Sequence, residues 1–184
     1  MKKTIDYTKL RVGQVILEAG TSFDSKIISW FEEDYITHAG LIIKMNDEWF
    51  VSEEKSLRGL GFTKLEDFVT DKYYLIREPK VKYGKKEEEA FNQLALKWTN
   101  TGFYNILNTV ITQGIRYTSD KLYRIFGFPK HEWIVKFKTK NGCWNCSEWY
   151  GFAVNTVLGI MAFYNIVSPA DLHFSDLLKD SQQI

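Results

Sequence analysis

The stretch that decides the fold is His38-Ala39-Gly40-Leu41-Ile42-Ile43-Lys44-Met45-Asn46-Asp47-Glu48-Trp49-Phe50-Val51-Ser52-Glu53. Two strand-like runs, rich in β-branched and aromatic residues, flank Asn46-Asp47, a two-residue hairpin turn. With that turn Met45 faces Glu48, Gly40 faces Glu53 and Lys55 faces His38. Side chains alternate along a strand, so His38 and Glu53 share a face as diagonal neighbours, and Glu54 points the other way. A slip of one residue in register would exchange the two glutamates.

Outward from the hairpin, residues 12–17 read as a short strand. Residues 22–33, with Phe23, Ile27, Ile28, Trp30 and Phe31, read as a helix capped by Ser22 or Asp24. Leu65-Glu66-Asp67-Phe68 reads as a short helical turn and residues 73–77 as a strand. The texture then changes. Residues 85–98 form a helix opened by Glu87, Glu88 and Glu89, with Phe91, Leu94, Ala95 and Trp98 as its apolar stripe. Helical patterning continues over 103–127, residues 133–138 are ambiguous, a helix spans about 147–161, and Ser168-Pro169-Ala170-Asp171-Leu172 begins a last helical turn. Strands precede helices, so the fold class is α+β: a small antiparallel sheet packed against helices. The expected organisation is one domain over 1–184, with a helical insertion at about 106–140.

Composition narrows the function classes. The chain has 184 residues, 24 Lys and Arg against 23 Asp and Glu, and a net charge of +1. A phosphate-dominated nucleic-acid binder would show a basic excess, so that class is disfavoured. A chain of this size buries roughly 70% of its unfolded surface and needs no metal or disulfide to fold. Two cysteines make no disulfide scaffold. Asp6, Lys9 and Arg11 interrupt any export segment, and no apolar run is long enough to span a bilayer, so the expected compartment is the cytoplasm.

The segment that carries chemistry is Asn141-Gly142-Cys143-Trp144-Asn145-Cys146-Ser147-Glu148-Trp149-Tyr150. A Gly-containing loop leads into an amphipathic helix, with Cys146 at or just before its first turn. Free backbone N–H groups and the helix dipole there favour a thiolate, the form a cysteine nucleophile needs. A small buried hydrophobe is the alternative role for such a residue. The nucleophile also needs a base. Of three histidines, His38 sits on a rigid strand, His131 falls in a polar loop and His173 is expected at the surface. A neutral imidazole must be oriented through its second nitrogen, and Glu53 is the carboxylate the hairpin offers.

Taken in order, Val12-Gly13-Gln14-Val15-Ile16-Leu17, Thr37-His38-Ala39-Gly40-Leu41-Ile42, Val51-Ser52-Glu53, Tyr104-Asn105, Cys146-Ser147-Glu148 and Ser168-Pro169-Ala170-Asp171-Leu172 carry a resemblance. The chain resembles the permuted papain-like branch of the NlpC superfamily, the YiiX-like group. His38 precedes Cys146, the inverse of the order in ordinary papain-like enzymes and the order of the permuted branch. The resemblance implies a cysteine hydrolase (amidase or peptidase) acting on amide or acyl ester bonds of a peptide-like or lipid-like small substrate, with no cofactor and no metal. It implies Cys146 as nucleophile, His38 as base and Glu53 as orienting residue. Tyr35, Ser147 and Gln14 are candidates for the substrate-binding and oxyanion region, Tyr35 as a group that polarises the carbonyl. Where the family commonly reads Gly-Asp-Ile, this chain has Gly13-Gln14-Val15, which keeps hydrogen bonding and loses a charge. Residues 106–140 are unmatched.

Other readings stay open. Cys143 and Cys146 form a C-x-x-C motif, which suits thiol–disulfide exchange in a βαβ context that is not present. Zinc would need a second ligand pair. A papain-like binding module without catalysis, and acyl transfer through the same thioester, also fit the residues.

Overall fold

The computed structural model describes residues 5–21, 25–26, 29–30, 34–55, 59–70, 72–99, 146–160 and 168–184. The helical segments expected over 103–127 and about 106–140, the ambiguous 133–138 and most of the helix expected over 22–33 lie outside the described residues.

The hairpin forms as its residues dictate. Strands β2 (His38–Met45) and β3 (Glu48–Lys55) pair antiparallel with Met45 opposite Glu48 and Leu41 opposite Ser52. Asn46 and Asp47 take φ of 48° and 64°, the left-handed pair of a type I′ turn, whose twist matches that of the strands. Strand β1 (Val15–Glu18) lies on the other side of β2, with Val15 opposite Leu41 and Glu18 opposite His38. β4 (Gly59–Lys64) and β5 (Tyr74–Pro79) flank these, and β6 (Leu178–Gln183) closes the order β4-β3-β2-β1-β5-β6, antiparallel throughout. The two strands not foreseen from sequence are the sheet's edges. β4 is interrupted by glycine, and β6 (Leu-Lys-Asp-Ser-Gln-Gln) has Leu178 as its one buried residue and carries no apolar alternation.

Alternation divides the central strands between two cores. Val15, Leu17, Ala39, Leu41, Ile43 and Leu75 face the helices, whereas Ile16, Ile42, Val51, Tyr74 and Ile76 face Ile5, Leu10, Leu65 and Phe68. Each large aliphatic side chain removed from water contributes about 1.5–3 kcal/mol, so both faces of the central strands are strongly pinned in register. Gly40 is required here: a Cβ at that position would sit 2.2 Å from Val51 Cγ1.

The short helix α1 (Leu65–Phe68) covers the second core. Helix α2 (Lys85–Trp98) starts where the Glu87 carboxylate accepts the Gly84 backbone N–H at 2.8 Å, and it buries Phe91 and Ala95. Helix α3 (Cys146–Leu158) packs on β2, β3 and α2 through Cys146, Trp149, Tyr150, Ala153 and Val154, recurring one helical turn apart. Helix α4 (Pro169–His173) begins at Ser168, whose hydroxyl accepts the Asp171 N–H at 3.2 Å while Asp171 accepts the Ser168 N–H at 3.0 Å. Arg77 of β5 donates to the carbonyls of Leu172 and His173 at 2.7 Å and of Leu178 at 3.0 Å, tying the end of α4 to the start of β6.

Candidate active site

His38 opens β2, and its position follows from the hairpin register. Gly40 faces Glu53, so His38 and Glu53 project from the same face one pleat apart. His38 Nε2 lies 2.7 Å from Glu53 Oε2. An ionised carboxylate only accepts, so Nε2 carries the proton and Nδ1 is the ring nitrogen left for another partner. The second carboxylate oxygen of Glu53 accepts the hydroxyl of Thr63 on β4. The His38 ring stacks on Phe68 with centroids 6.1 Å apart. Imidazole and carboxylate are therefore both held on rigid elements.

Cys146 is the first residue of α3, a free and buried thiol at the end where the helix dipole is positive. Its effect registers on His38. Burial by itself disfavours the imidazolium, but the neighbouring Cys146, followed by Glu53, outweighs burial and holds His38 well above the ordinary imidazole range. Cys146, His38 and Glu53, scattered over three elements, thus come together. Cys143 lies outside the described residues.

Glu54 points the other way. It sits opposite Leu60 on the helix-facing side, 3% exposed, with neither carboxylate oxygen partnered among the described residues, and burial pushes it up to about 7. The register that joins Glu53 to His38 leaves Glu54 in an apolar setting.

The other expected residues are placed differently. The Gln14 backbone carbonyl accepts the Ile42 N–H, four residues along β2 from His38 and therefore about 13 Å away. Its side chain donates to Lys9 O at 3.1 Å and Ser181 Oγ at 3.0 Å and accepts the Arg11 N–H at 2.8 Å. The glutamine where an aspartate is common is thus occupied in joining the N-terminal turn to β6. Ser147 is completely buried in α3. Tyr35 is 50% exposed, its ring edge-on to Tyr73 at 5.4 Å and to His173 at 5.2 Å. Burial, then Tyr73 beside it, push its hydroxyl up to about 12, so it keeps its proton.

His173 is not the surface residue its place near the last helical turn suggests. Its side chain is 14% exposed, and Nδ1 lies 2.8 Å from Oδ2 of Asp34, whose side chain is 2% exposed. Tyr35 Oη lies 3.5 Å from the other ring nitrogen, at the outer limit of a hydrogen bond. The pairing joins residues 139 apart in sequence, and α4 had to be docked before it could be seen. Glu18 and Lys72 were missed too. Glu18 faces His38 across β1 and β2 and receives a hydrogen bond from Lys72. The signal for Glu18 was an acid directly following the apolar Val15-Ile16-Leu17, but only strand order puts it beside His38.

Among the described residues no group of three or more His, Cys, Asp or Glu side chains could hold a metal ion. No described helix is long and apolar enough to cross a membrane.

No family model matches the chain, and no curated protein matches it. Among solved structures, the fold is similar to the crystal structure of metalloprotein yiiX from Escherichia coli O157:H7, DUF1105. The TM-score is 0.68 at 15% sequence identity, and the match covers 96% of this chain and 98% of that chain. The α+β architecture with its six-stranded antiparallel sheet is therefore YiiX-like over nearly its whole length.

Proposed function

We propose that the chain is a cysteine hydrolase of permuted papain-like type, cleaving an amide or acyl ester bond of a peptide-like or lipid-like small substrate. One observation carries this reading: His38 is held by Glu53 through Nε2 while Cys146 acts on the same ring. In the proposed reaction, His38 Nδ1 takes the Cys146 proton and the thiolate attacks the carbonyl carbon. The collapsing tetrahedral intermediate receives that proton on its leaving group, and water resolves the thioester. Glu53 stabilises the imidazolium and fixes the ring. The backbone N–H of Cys146 and the protonated Tyr35 hydroxyl are the donors for the developing oxyanion, each worth about 10²–10³ in rate when well placed. The name of the structural neighbour denotes a metalloprotein; among the described residues of this chain no group of three or more His, Cys, Asp or Glu side chains could hold a metal ion.

The test is the rate of iodoacetamide labelling of Cys146 against pH in a Cys143→Ser background, with and without His38→Ala. Labelling that stays fast below pH ~7 and slows without His38 is expected for a thiolate–imidazolium pair. In parallel, Cys146→Ala should abolish turnover of an amide and acyl ester panel. A thiol that titrates near about 8.5 whatever stands at position 38 overturns the reading and leaves a binding module.

A further inference from the structure

Two carboxylates, not one, flank His38. Glu18 lies directly opposite it on β1, with side chains on the same face, which sets the two Cβ atoms about 4.5–5.5 Å apart. Glu53 is the diagonal neighbour on β3, yet the hydrogen bond goes to Glu53. The Glu18 side chain is as enclosed as that of Glu53, at 10% and 12% exposure, so exposure does not explain the choice.

The difference is Lys72. It stands two residues before Tyr74, which faces Glu18 on β5, so it is the diagonal neighbour of Glu18 on the far side, and its ammonium donates to Glu18 Oε1. Since β3, β2, β1 and β5 are consecutive in the sheet, Glu53, His38, Glu18 and Lys72 form one row on one face. Their charges alternate in sign, and the row is neutral when the imidazole is protonated. Other described groups around His38 are Thr63 from β4, which donates to Glu53; Tyr74 from β5, which donates to the Phe68 carbonyl; Phe68 from α1; and Cys146 from α3.

We infer that Lys72 is a positioning residue for the proposed Cys146–His38 pair: by engaging Glu18 it keeps that carboxylate from competing for the imidazole, so that Glu53 alone sets the ring's tautomer and orientation. The inference rests on the proposed function for its catalytic meaning, but the choice between carboxylates is a property of the row itself. Charge bookkeeping fixes the direction of each change. Without Lys72, a buried carboxylate with no counter-charge stands opposite His38. It favours the imidazolium and offers the ring a second acceptor. Without Glu18 as well, nothing remains to compete.

The experiment follows the His38 ring protons by NMR against pH, alongside iodoacetamide labelling of Cys146, in the Cys143→Ser background. Lys72→Met should move the His38 titration upward by about one pH unit, the scale of a newly uncompensated charge about 5 Å away in a partly screened site. Lys72→Arg should leave it in place, and Glu18→Gln/Lys72→Met should return it to the starting value. Glu53→Gln alone should lower it, and adding Lys72→Met should recover part of the loss as Glu18 takes over. A His38 titration unmoved by Lys72→Met in a folded protein overturns the inference, as does one that Glu18→Gln does not reverse. If Lys72→Met fails to fold, the comparison of Lys72→Arg with Glu18→Gln/Lys72→Met decides: a His38 titration that differs between them refutes the masking role. Cys146 labelling indifferent to His38 would sink the proposed function, while the ring-proton titration would still report on Lys72.

Discussion

Glu54 offers the sharpest thermodynamic test, because the hairpin register alone buried it. Its carboxyl moves from 4.5 to about 7, and burial is the cause. Between those two values the unfolded chain releases its proton while the folded chain keeps it. The unfolded state then binds fewer protons, and stability falls as pH rises. Above about pH 7 the folded protein holds a buried ionised carboxylate with no partner among the described residues. At 1.36 kcal/mol per pH unit the full penalty is about 3 kcal/mol, and water reaching the site would reduce it, so about 1–3 kcal/mol is expected. Glu54→Gln keeps shape and polarity and removes the ionisation. Urea unfolding followed by tryptophan fluorescence at pH 4 and pH 8.5 should show the two proteins within about 0.5 kcal/mol at the lower pH. At the higher pH the glutamine variant should be about 1–3 kcal/mol more stable, seen as a higher midpoint with an unchanged slope. Glu53 and His38 lie on the opposite face of the sheet and should cancel in the difference. An equal difference at both pH values would refute the reasoning and place Glu54 in contact with water or a cation.

Two further outcomes follow from the packing. Gly40→Ala puts a methyl group 2.2 Å from Val51 Cγ1 in the core that adjoins His38. It should cost about 1–3 kcal/mol in denaturant unfolding, and a neutral result would show that the strand moves more freely than its two buried faces imply. Gln14→Ala removes the acceptor of the Arg11 N–H and two donors at a fully buried position, and should destabilise by about 1–3 kcal/mol while leaving the pH profile of Cys146 labelling unchanged. A shifted profile would return Gln14 to the reaction site.

What could be read in the sequence was whatever short-range physics controls. The turn residues and the period-two pattern of 38–53 set the hairpin register, and the register put His38 beside Glu53 and turned Glu54 away, all within sixteen or so residues of chain. The helix over 85–98 and the last turn at Ser168-Pro169 were legible for the same reason: amphipathic spacing and capping groups act over one or two turns. The edge strands were not legible, because β4 and β6 owe their state to the neighbour they bond and not to their own pattern.

Tertiary structure decided what the chain brings from a distance. Cys146 reaches His38 only because α3 packs its apolar stripe on β2. Gln14 is drawn to Lys9 and Ser181, away from the site, because β6 returns to the far edge of the sheet. His173 is buried on Asp34 because Arg77 anchors the end of α4. Lys72 meets Glu18 because β5 pairs with β1. None of these contacts leaves a periodic trace, since a long-range pair is fixed by strand order and helix docking, and the sequence between the partners is free to vary without changing either end.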